Sequence, residues 1–205
     1  MRWILLTDHY YTENPNTPSN PVHWQASIKG ISLYFKTDRG VFSKNNVDFG
    51  SRLLIETFEK PVIPGPILDI GCGWGAIGLT LAKWMPEREI HMVDINERAI
   101  DLAKDNAERN GINNVEIFKS DIFENIHESQ YAAIVTNPPI RAGKSVVHSI
   151  FENSYSHLSE HGELWVVIQK KQGAPSAKKK LEELFGTVEV VKKEKGYYIL
   201  RAKKI

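Results

Sequence analysis

The 205-residue sequence contains a single cysteine, Cys72, so no disulfide bond can form within the chain. No apolar run approaches the roughly 20 residues that cross a bilayer. The charged and apolar start at residues 1–6 reaches polar residues too soon to be a signal peptide. Because disulfides are rare in reducing compartments, these absences predict a soluble cytoplasmic protein with no membrane partner.

Net charge is also nearly absent, at +1, but the charges are unevenly distributed. Residues 170–205 contain 11 Lys and Arg against 4 Asp and Glu, whereas residues 1–169 contain 15 basic and 21 acidic residues. A basic C-terminal quarter on a mildly acidic body suits a polyanionic partner such as RNA. The alternative is that Lys178-Lys179-Lys180 forms one solvated face of a helix.

A segment rich in proline and glycine at residues 61–66 predicts a hinge. We therefore expect an N-terminal extension over residues 1–60 and a main domain over residues 61–205. In the extension, the sequence predicts a loop at 12–21, two short strands within 30–43 around a turn at 37–40, and a helix at 47–59.

After residue 66, predicted strands alternate with predicted helices. The strands fall at residues 67–70, 89–93, 115–119, 132–136 and 163–169, and helices end near 84 or span 96–110, 143–158 and 176–185. This alternation predicts an α/β fold with a doubly wound, mostly parallel, seven-stranded sheet. A closing hairpin at 188–192 and 197–202 predicts an antiparallel strand inserted at one edge.

The segment LDIGCGWGAIG, residues 68–78, joins the first of these strands to a helix. Glycines let the backbone approach a ligand, and the free N–H groups of a helix N-terminus attract a carboxylate or a phosphate. Gly73, Gly75 and Gly78 match the dinucleotide fingerprint, and Asp94 lies downstream where a ribose hydroxyl would bind. An NAD-linked oxidoreductase is therefore one interpretation.

Three acidic residues favour a different cofactor. Asp69, Asp94 and Asp121 lie at or near the ends of successive strands, where ligands bind in open α/β sheets. They would serve a pyrophosphate poorly but suit a sulfonium with an amino-acid tail, a ribose and an adenine. We expect Asp69 near the ammonium group or organising the loop beneath it. Asp94, followed by Ile95, would accept the ribose hydroxyls, and Asp121 with the N–H of Ile122 would contact adenine.

Residues 60–170 resemble a class I S-adenosylmethionine-dependent methyltransferase. The residues that carry the resemblance are Asp69-x-Gly71-x-Gly73-x-Gly75, which match the first motif of that family. The resemblance implies a Rossmann-like fold, S-adenosyl-L-methionine as cofactor and a binding loop formed by these residues. No metal is expected.

The segment TNPPIRAGKS, residues 136–145, has two interpretations. Its end resembles a phosphate-binding P-loop, but that motif needs glycine at position 138, where the sequence has proline. In the resembling families an N-P-P-x motif follows the fourth strand. There the carbonyl oxygens of the Asn137 side chain and the Pro138 main chain accept the two hydrogens of a planar amine, which holds the nitrogen for methyl transfer.

The fourth position of this motif departs from the family pattern. An aromatic residue normally follows the second proline, Pro139, whereas this sequence has Ile140. Isoleucine can cover a base or an amide by apolar contact but cannot stack on it as an aromatic ring does. We expect Ile140 to complete the catalytic loop and Phe42 to supply the missing aromatic surface.

The segment GVFSKNNVDFGSRLL, residues 40–54, resembles the region before the catalytic domain of RsmC-type guanine-N2 methyltransferases of small-subunit ribosomal RNA. The closing part, residues 162–197, is also similar to that group. The resemblance implies that Asp48 and Gly50 lie beside the methionine end of the cofactor. An N-cap role for Asp48 is compatible with this placement.

The best-known members of that group carry an additional methyltransferase-like domain, for which this chain has no room. It therefore resembles the shorter single-domain relatives. The resemblance implies methylation of a guanine N2 amine in ribosomal RNA, with adenine N6 and a protein glutamine amide as alternatives. We expect RNA to contact Arg141, Lys144 and the basic C-terminal quarter, and the target base to be flipped out of its stack.

Overall fold

The computed structural model describes residues 17–127 and 130–205. The elements are β1 (Val22–Ile28), β2 (Ile31–Thr37), α1 (Phe49–Thr57), β3 (Ile67–Ile70), α2 (Ala76–Trp84), β4 (Ile90–Asp94), α3 (Glu97–Arg109), β5 (Val115–Lys119), β6 (Tyr131–Thr136), α4 (Lys144–His157), β7 (Leu158–Gln169), α5 (Ala174–Phe185), β8 (Val188–Glu194) and β9 (Tyr197–Lys203). Short 3-10 turns cover Ile140–Ala142 and Lys170–Gln172. Part of the predicted loop at 12–21 lies outside the described residues.

The main sheet has seven strands in the order β5-β4-β3-β6-β7-β9-β8. The first five are parallel, whereas β9 pairs antiparallel with both β7 and β8. The central strands β3 and β6 are buried along their whole length, because helices cover both faces of the sheet. The predicted fold class, including the antiparallel C-terminal hairpin, is confirmed.

Two hydrophobic layers sit on opposite faces of this sheet. One contains fully buried residues of α1, α2 and the N-terminal hairpin, including Leu54, Leu79 and Phe35. The other contains residues of α4 and α5, including Phe151 and Leu181. The hairpin and α1 therefore share a core with the sheet, and the proposed domain boundary at residue 60 stays a prediction.

The N-terminal hairpin lies earlier in the chain than predicted. Its strands β1 and β2 meet at Lys29-Gly30, where φ is 52° and 75°. Two positive φ angles give the twist that matches a two-residue hairpin turn. The predicted turn at 37–40 instead ends β2, because the Asp38 carboxylate accepts from Ser19 Oγ and from the main-chain N–H groups of Asn20 and Arg39.

Asn106 of α3 and Asn110, the C-cap of that helix, fix the hairpin to the main domain. Asn106 Oδ1 accepts from Lys36 N at 2.7 Å, and Asn106 Nδ2 donates to Lys36 O at 3.0 Å. Asn110 makes the same pair of bonds with Tyr34, at 2.9 and 2.7 Å. Each side-chain amide thus satisfies both main-chain groups of one residue of β2.

The predicted start of one strand needs correction. β7 begins at Leu158, five positions before the predicted start at residue 163, and its pairing with β6 is irregular between Tyr131 and Ala133. That irregularity hides the early part of the strand from a simple pattern.

Within residues 17–127 and 130–205, none of the helices has the length and apolar character that crossing a bilayer requires.

Candidate active site at the carboxyl edge of the sheet

A cavity of about 370 Å³ opens at the carboxyl ends of β3, β4 and β6. Most of the predicted site residues lie together around it. These lining residues are Phe42, Asp48, Gly71, Gly73, Asp94, Ile95, Asp121, Ile122, Asn137, Pro138 and Pro139. Its volume lies in the usual range for small-molecule sites, about 300–1,000 Å³.

Four predicted site residues lie outside the cavity lining. Asp69 is fully buried beneath the glycine loop. Gly75 precedes α2 with φ of 98°, and a Cβ there would lie 2.6 Å from Leu79 Cδ1. A Cβ on Gly50 would lie 2.8 Å from Tyr197 Cε1, so this glycine permits close packing of α1. Ile140 packs against the hydrophobic layer of α4 and α5.

The glycine loop turns through left-handed backbone at three alternate positions. The φ angles of Gly71, Gly73 and Gly75 are 73°, 56° and 98°. Residues other than glycine rarely adopt this conformation, so the spacing of the motif follows from backbone geometry. Gly71 and Gly73 also lack side chains where the loop borders the cavity, which leaves room for a ligand.

The Asp94 carboxylate connects the end of β4 to the glycine loop. Its Oδ2 accepts from Gly73 N at 2.8 Å, and its Oδ1 accepts from Asn96 N at 2.9 Å. Burial raises the pKa of this carboxyl, while the main-chain donors oppose the rise. Both oxygens keep a further lone pair, so Asp94 can accept hydroxyl groups from a ligand in the cavity.

Asp69 supports the loop from below. Its Oδ2 accepts from Gly78 N at 2.8 Å, and its Oδ1 is buried without a hydrogen-bond partner among the described residues. Burial, assisted by the negative charge of Asp94, raises the pKa of the Asp69 carboxyl to about 7. This hydrogen bond ties the end of β3 to the first turn of α2, and both predicted roles of Asp69 stay predictions.

Asn137 directly follows β6 and contacts the start of α1. Its Nδ2 donates to Ser51 Oγ at 3.0 Å and lies 3.4 and 3.5 Å from the two oxygens of Asp48. The amide hydrogens therefore point toward α1. The Asn137 carbonyl oxygen accepts no hydrogen bond from the described residues, which leaves it available to a ligand at the cavity.

The two prolines after Asn137 form a tight turn. Ile140 N donates to Pro138 O at 2.8 Å, and Pro139 has φ of −74° and ψ of 79°. These values describe an inverse γ-turn. The bond occupies one lone pair of the Pro138 carbonyl oxygen and fixes its direction, while the second lone pair remains able to accept.

Asp48 has a structural task at the same place. Its Oδ1 accepts from Gly50 N at 2.9 Å and from Ser51 N at 3.2 Å, which makes it the N-cap of α1. Such a cap stabilises a helix by about 1 kcal/mol. Asp48 is therefore an N-cap that also lines the cavity, and its place beside the methionine end of the cofactor stays a prediction.

Phe42 lies at the cavity with 42% of its surface exposed. Trp74 Nε1 donates to its main-chain carbonyl at 2.8 Å, which attaches the segment before α1 to the glycine loop. The role of Phe42 as the aromatic surface next to Ile140 stays a prediction.

Sequence reasoning missed several lining residues. They are Val41, Ser43, Ser51, Ile70, Cys72, Trp74, Ala76, Ile77, Val93, Ala99, Ser120, Ala142, Val146 and Ile150. Ser51 could have been found, because it lies three positions after the predicted N-cap and therefore on the same end of α1. Val146 and Ile150 carry no such signal, since only the packing of α4 brings them to the cavity.

One group of possible metal ligands among the described residues lies elsewhere. Side-chain atoms of Glu89, His91 and Glu116 come within 4.8 Å of one another. These residues lie at the amino ends of β4 and β5, and His91 Nδ1 pairs with the Tyr131 hydroxyl at 2.8 Å. The group is thus separate from the cavity at the carboxyl edge.

The profile described as the methyltransferase small domain matches residues 32–201. The uncharacterized protein YbxB of Bacillus subtilis (strain 168) is 58% identical over 201 residues, covering 98% of this chain and 100% of that protein. The ribosomal RNA small subunit methyltransferase C of Vibrio parahaemolyticus is 35% identical over 199 residues, covering 93% of this chain and 56% of that protein.

A solved structure gives a similar result. The T. thermophilus 16S rRNA N2 G1207 methyltransferase (RsmC), in complex with AdoMet and guanosine, aligns with a TM-score of 0.81 at 28% identity. The alignment covers 93% of this chain and 52% of that one, so the chain spans about half the length of the RsmC proteins that it matches. The chain belongs to the methyltransferase small domain family, and it is an RsmC-like class I methyltransferase of the S-adenosylmethionine-dependent type.

Proposed function

We propose that the protein transfers a methyl group from S-adenosylmethionine to the exocyclic N2 amine of a guanine in ribosomal RNA. One observation carries the proposal: the Asn137 amide is held by Ser51 and offers its carbonyl oxygen at the cavity, next to the Pro138 carbonyl. The names of the similar proteins support the substrate, because one acts on small-subunit ribosomal RNA and another was solved with AdoMet and guanosine.

We assign the cofactor to the cavity beside the glycine loop. Gly71 and Gly73 leave space for a ligand at the loop, and Asp94 has lone pairs available for two ribose hydroxyls. Asp121 and the N–H of Ile122 lie on the same cavity and are assigned to adenine. Bound there, the cofactor supplies an electrophilic methyl group on a sulfonium, whose departure leaves a neutral thioether.

The amine site holds the nucleophile. The carbonyl oxygens of Asn137 and Pro138 accept the two amine hydrogens, which draws the nitrogen toward a pyramidal shape and directs its lone pair at the methyl carbon. The γ-turn at Pro139 fixes the second acceptor before the substrate arrives. No strong base is needed before transfer, and the methylated nitrogen releases one of its protons to water afterwards. Positioning at near-attack distance is therefore the main contribution of the protein.

Ser51 and Asp48 act as positioning residues for Asn137. An amide that rotated by half a turn would present NH2 instead of carbonyl oxygen and would repel the amine hydrogens. The Asp48 carboxylate, which can only accept, lies 3.4 Å from Nδ2 and disfavours that rotation, while the Ser51 hydroxyl at 3.0 Å holds the amide in place. α1 of the N-terminal extension thus completes the proposed amine site.

The family membership favours methyl transfer over the NAD-linked oxidoreductase. Among methyltransferase substrates, guanine N2 is favoured because the similar T. thermophilus protein is a 16S rRNA N2 G1207 methyltransferase. Adenine N6 and a protein glutamine amide remain the competing planar amines. Action on ribosomal subunits also places the proposed activity in the cytoplasm.

The experiment that tests the proposal is transfer from methyl-labelled S-adenosylmethionine. Small ribosomal subunits, naked 16S rRNA, tRNA and total protein are offered separately, and labelled RNA is digested to nucleosides. We expect N2-methylguanosine from one of the ribosomal RNA samples. Label in N6-methyladenosine or in protein glutamine would contradict the guanine assignment.

A further inference from the structure

Two groups of lysines in the basic C-terminal quarter differ in whether they have acidic partners. On α5, Lys178 pairs with Glu182, and Lys180 Nζ lies 2.6 Å from Glu152 Oε1. The second group, Lys170, Lys171, Lys193 and Lys195, is exposed, and no carboxylate of the described residues lies within ion-pair distance of these four side chains. We call this second group the lysine rim.

The lysine rim lies at the same edge of the sheet as Asn137. Thr136 pairs with Val166 on the parallel strand β7, whose end at Gln169 pairs with the first residue of β9. Lys170 N donates to Gly196 O at 2.7 Å, which joins the end of β7 to the β8–β9 turn. With about 3.3 Å per residue along a strand, Lys170 lies on the order of 10 Å from Asn137.

A short series of contacts links the rim to the amine site. Lys195 Nζ lies 4.6 Å from the centre of the Phe49 ring, and the rings of Phe49 and Tyr197 are 5.4 Å apart. Phe49 is the first residue of α1, between the N-cap Asp48 and Ser51, both of which contact Asn137. The rim thus borders the amine site without lining the cavity.

We propose that the lysine rim binds the backbone phosphates of the RNA that surround the methylated guanine. This inference rests on the proposed function. Lysine is a flexible point charge that suits phosphates, and phosphate contacts position a nucleic acid without identifying its sequence. A base that leaves its stack to enter the cavity leaves its own and neighbouring phosphates outside, at the distance where the rim lies.

Two lysines of α5 do not take part. Lys178 and Lys180 are engaged by carboxylates, so their charges are partly compensated where an incoming polyanion would meet them. The rim carries more uncompensated charge and lies closer to Asn137. Only one part of the basic C-terminal quarter therefore forms the RNA-binding surface.

The test compares two triple variants with the same change in net charge. The rim variant carries Lys171→Gln, Lys193→Gln and Lys195→Gln. The control carries Lys104→Gln, Lys179→Gln and Lys203→Gln, three exposed lysines on α3, α5 and the far end of β9. Binding of the 16S rRNA is measured at several salt concentrations, together with the Kd for S-adenosylhomocysteine.

Each phosphate contact adds about 0.7 to the slope of log K against log salt for single-stranded nucleic acid. We expect the slope of the rim variant to fall by about two, with a raised KM for RNA and an unchanged Kd for S-adenosylhomocysteine. The control variant keeps the slope of the wild type. If the rim and control variants have equal slopes and RNA is still methylated, the RNA-binding role of the rim is refuted and the proposed function stands. A wild type that methylates protein but not RNA overturns both the rim and the proposed substrate.

Discussion

The two halves of the candidate site are built in different ways. The cofactor half is local, since Asp69 and Asp94 come from neighbouring strands and accept from main-chain N–H groups within one short segment, Gly78 N and Gly73 N. The amine half joins Asn137 to Ser51, which lie 86 residues apart in the chain. The cofactor half can therefore be recognised as one motif, whereas the amine half exists only after α1 has packed against the sheet.

The largest effect is expected from breaking the amine half. Asn137→Ala removes an acceptor that we assign to the reacting amine, and loss of a comparable positioned group costs about 100- to 1,000-fold in kcat. The Kd for S-adenosylhomocysteine should change little, because the cofactor half stays intact. Single-turnover methyl transfer and calorimetry measure the two quantities. Near-normal turnover would remove Asn137 from the catalytic assignment.

Breaking the cofactor half should give the opposite pattern. Asp94→Ala removes the acceptor for Gly73 N and Asn96 N as well as the proposed ribose contacts. Hydrogen bonds to a charged group contribute about 1.5–3 kcal/mol each, so the Kd for S-adenosylhomocysteine should rise at least 10-fold. Asp101→Ala, an exposed position on α3, is the control. Unchanged affinity in Asp94→Ala would contradict the cofactor placement.

A smaller change tests the contact between Asn137 and α1 within the amine half. Ser51→Ala removes the acceptor of the Asn137 amide, and a neutral hydrogen bond contributes about 1 kcal/mol, so kcat should fall roughly fivefold. Ser51→Thr keeps a hydroxyl and should restore kcat. A merely structural role would lower the melting temperature of both variants and leave kcat at saturating substrate unchanged.

The smallest expected effect is a pH dependence of stability that belongs to the cofactor half. Burial raises the pKa of Asp69 from 3.8 to about 7, so the ligand-free folded protein keeps a proton that the unfolded chain has released between these values. Stability contributed by this group is therefore present at low pH and is lost as the pH rises toward 7. In the wild type the melting temperature should fall by a few degrees between pH 5 and pH 7, and Asp69→Asn should reduce this fall. An identical pH profile in both proteins would contradict the raised pKa.

The predictability of each region follows from the range of its interactions. The sequence predicts β3 at residues 67–70, as observed, because a short, mostly apolar run directly precedes a glycine motif. The structure explains the motif, since its alternate glycines have left-handed backbone. The hairpin turn at Lys29-Gly30 was misplaced because Thr37-Asp38-Arg39-Gly40 has turn chemistry of its own, which the fold uses to end β2. The roles of Ser51 and of the lysine rim depend on contacts between distant segments, which no local pattern contains.

The hydrogen bonds that Asn106 and Asn110 make to β2 also bear on solubility. An exposed strand edge is a template on which another chain can add a strand and begin to aggregate. Asn106 and Asn110 pair with the main chain of Lys36 and Tyr34 as a neighbouring strand would, since a side-chain amide carries the same donor and acceptor as a peptide bond. The outer edge of β2 is thereby closed by two side chains, without the chain having to supply a further strand.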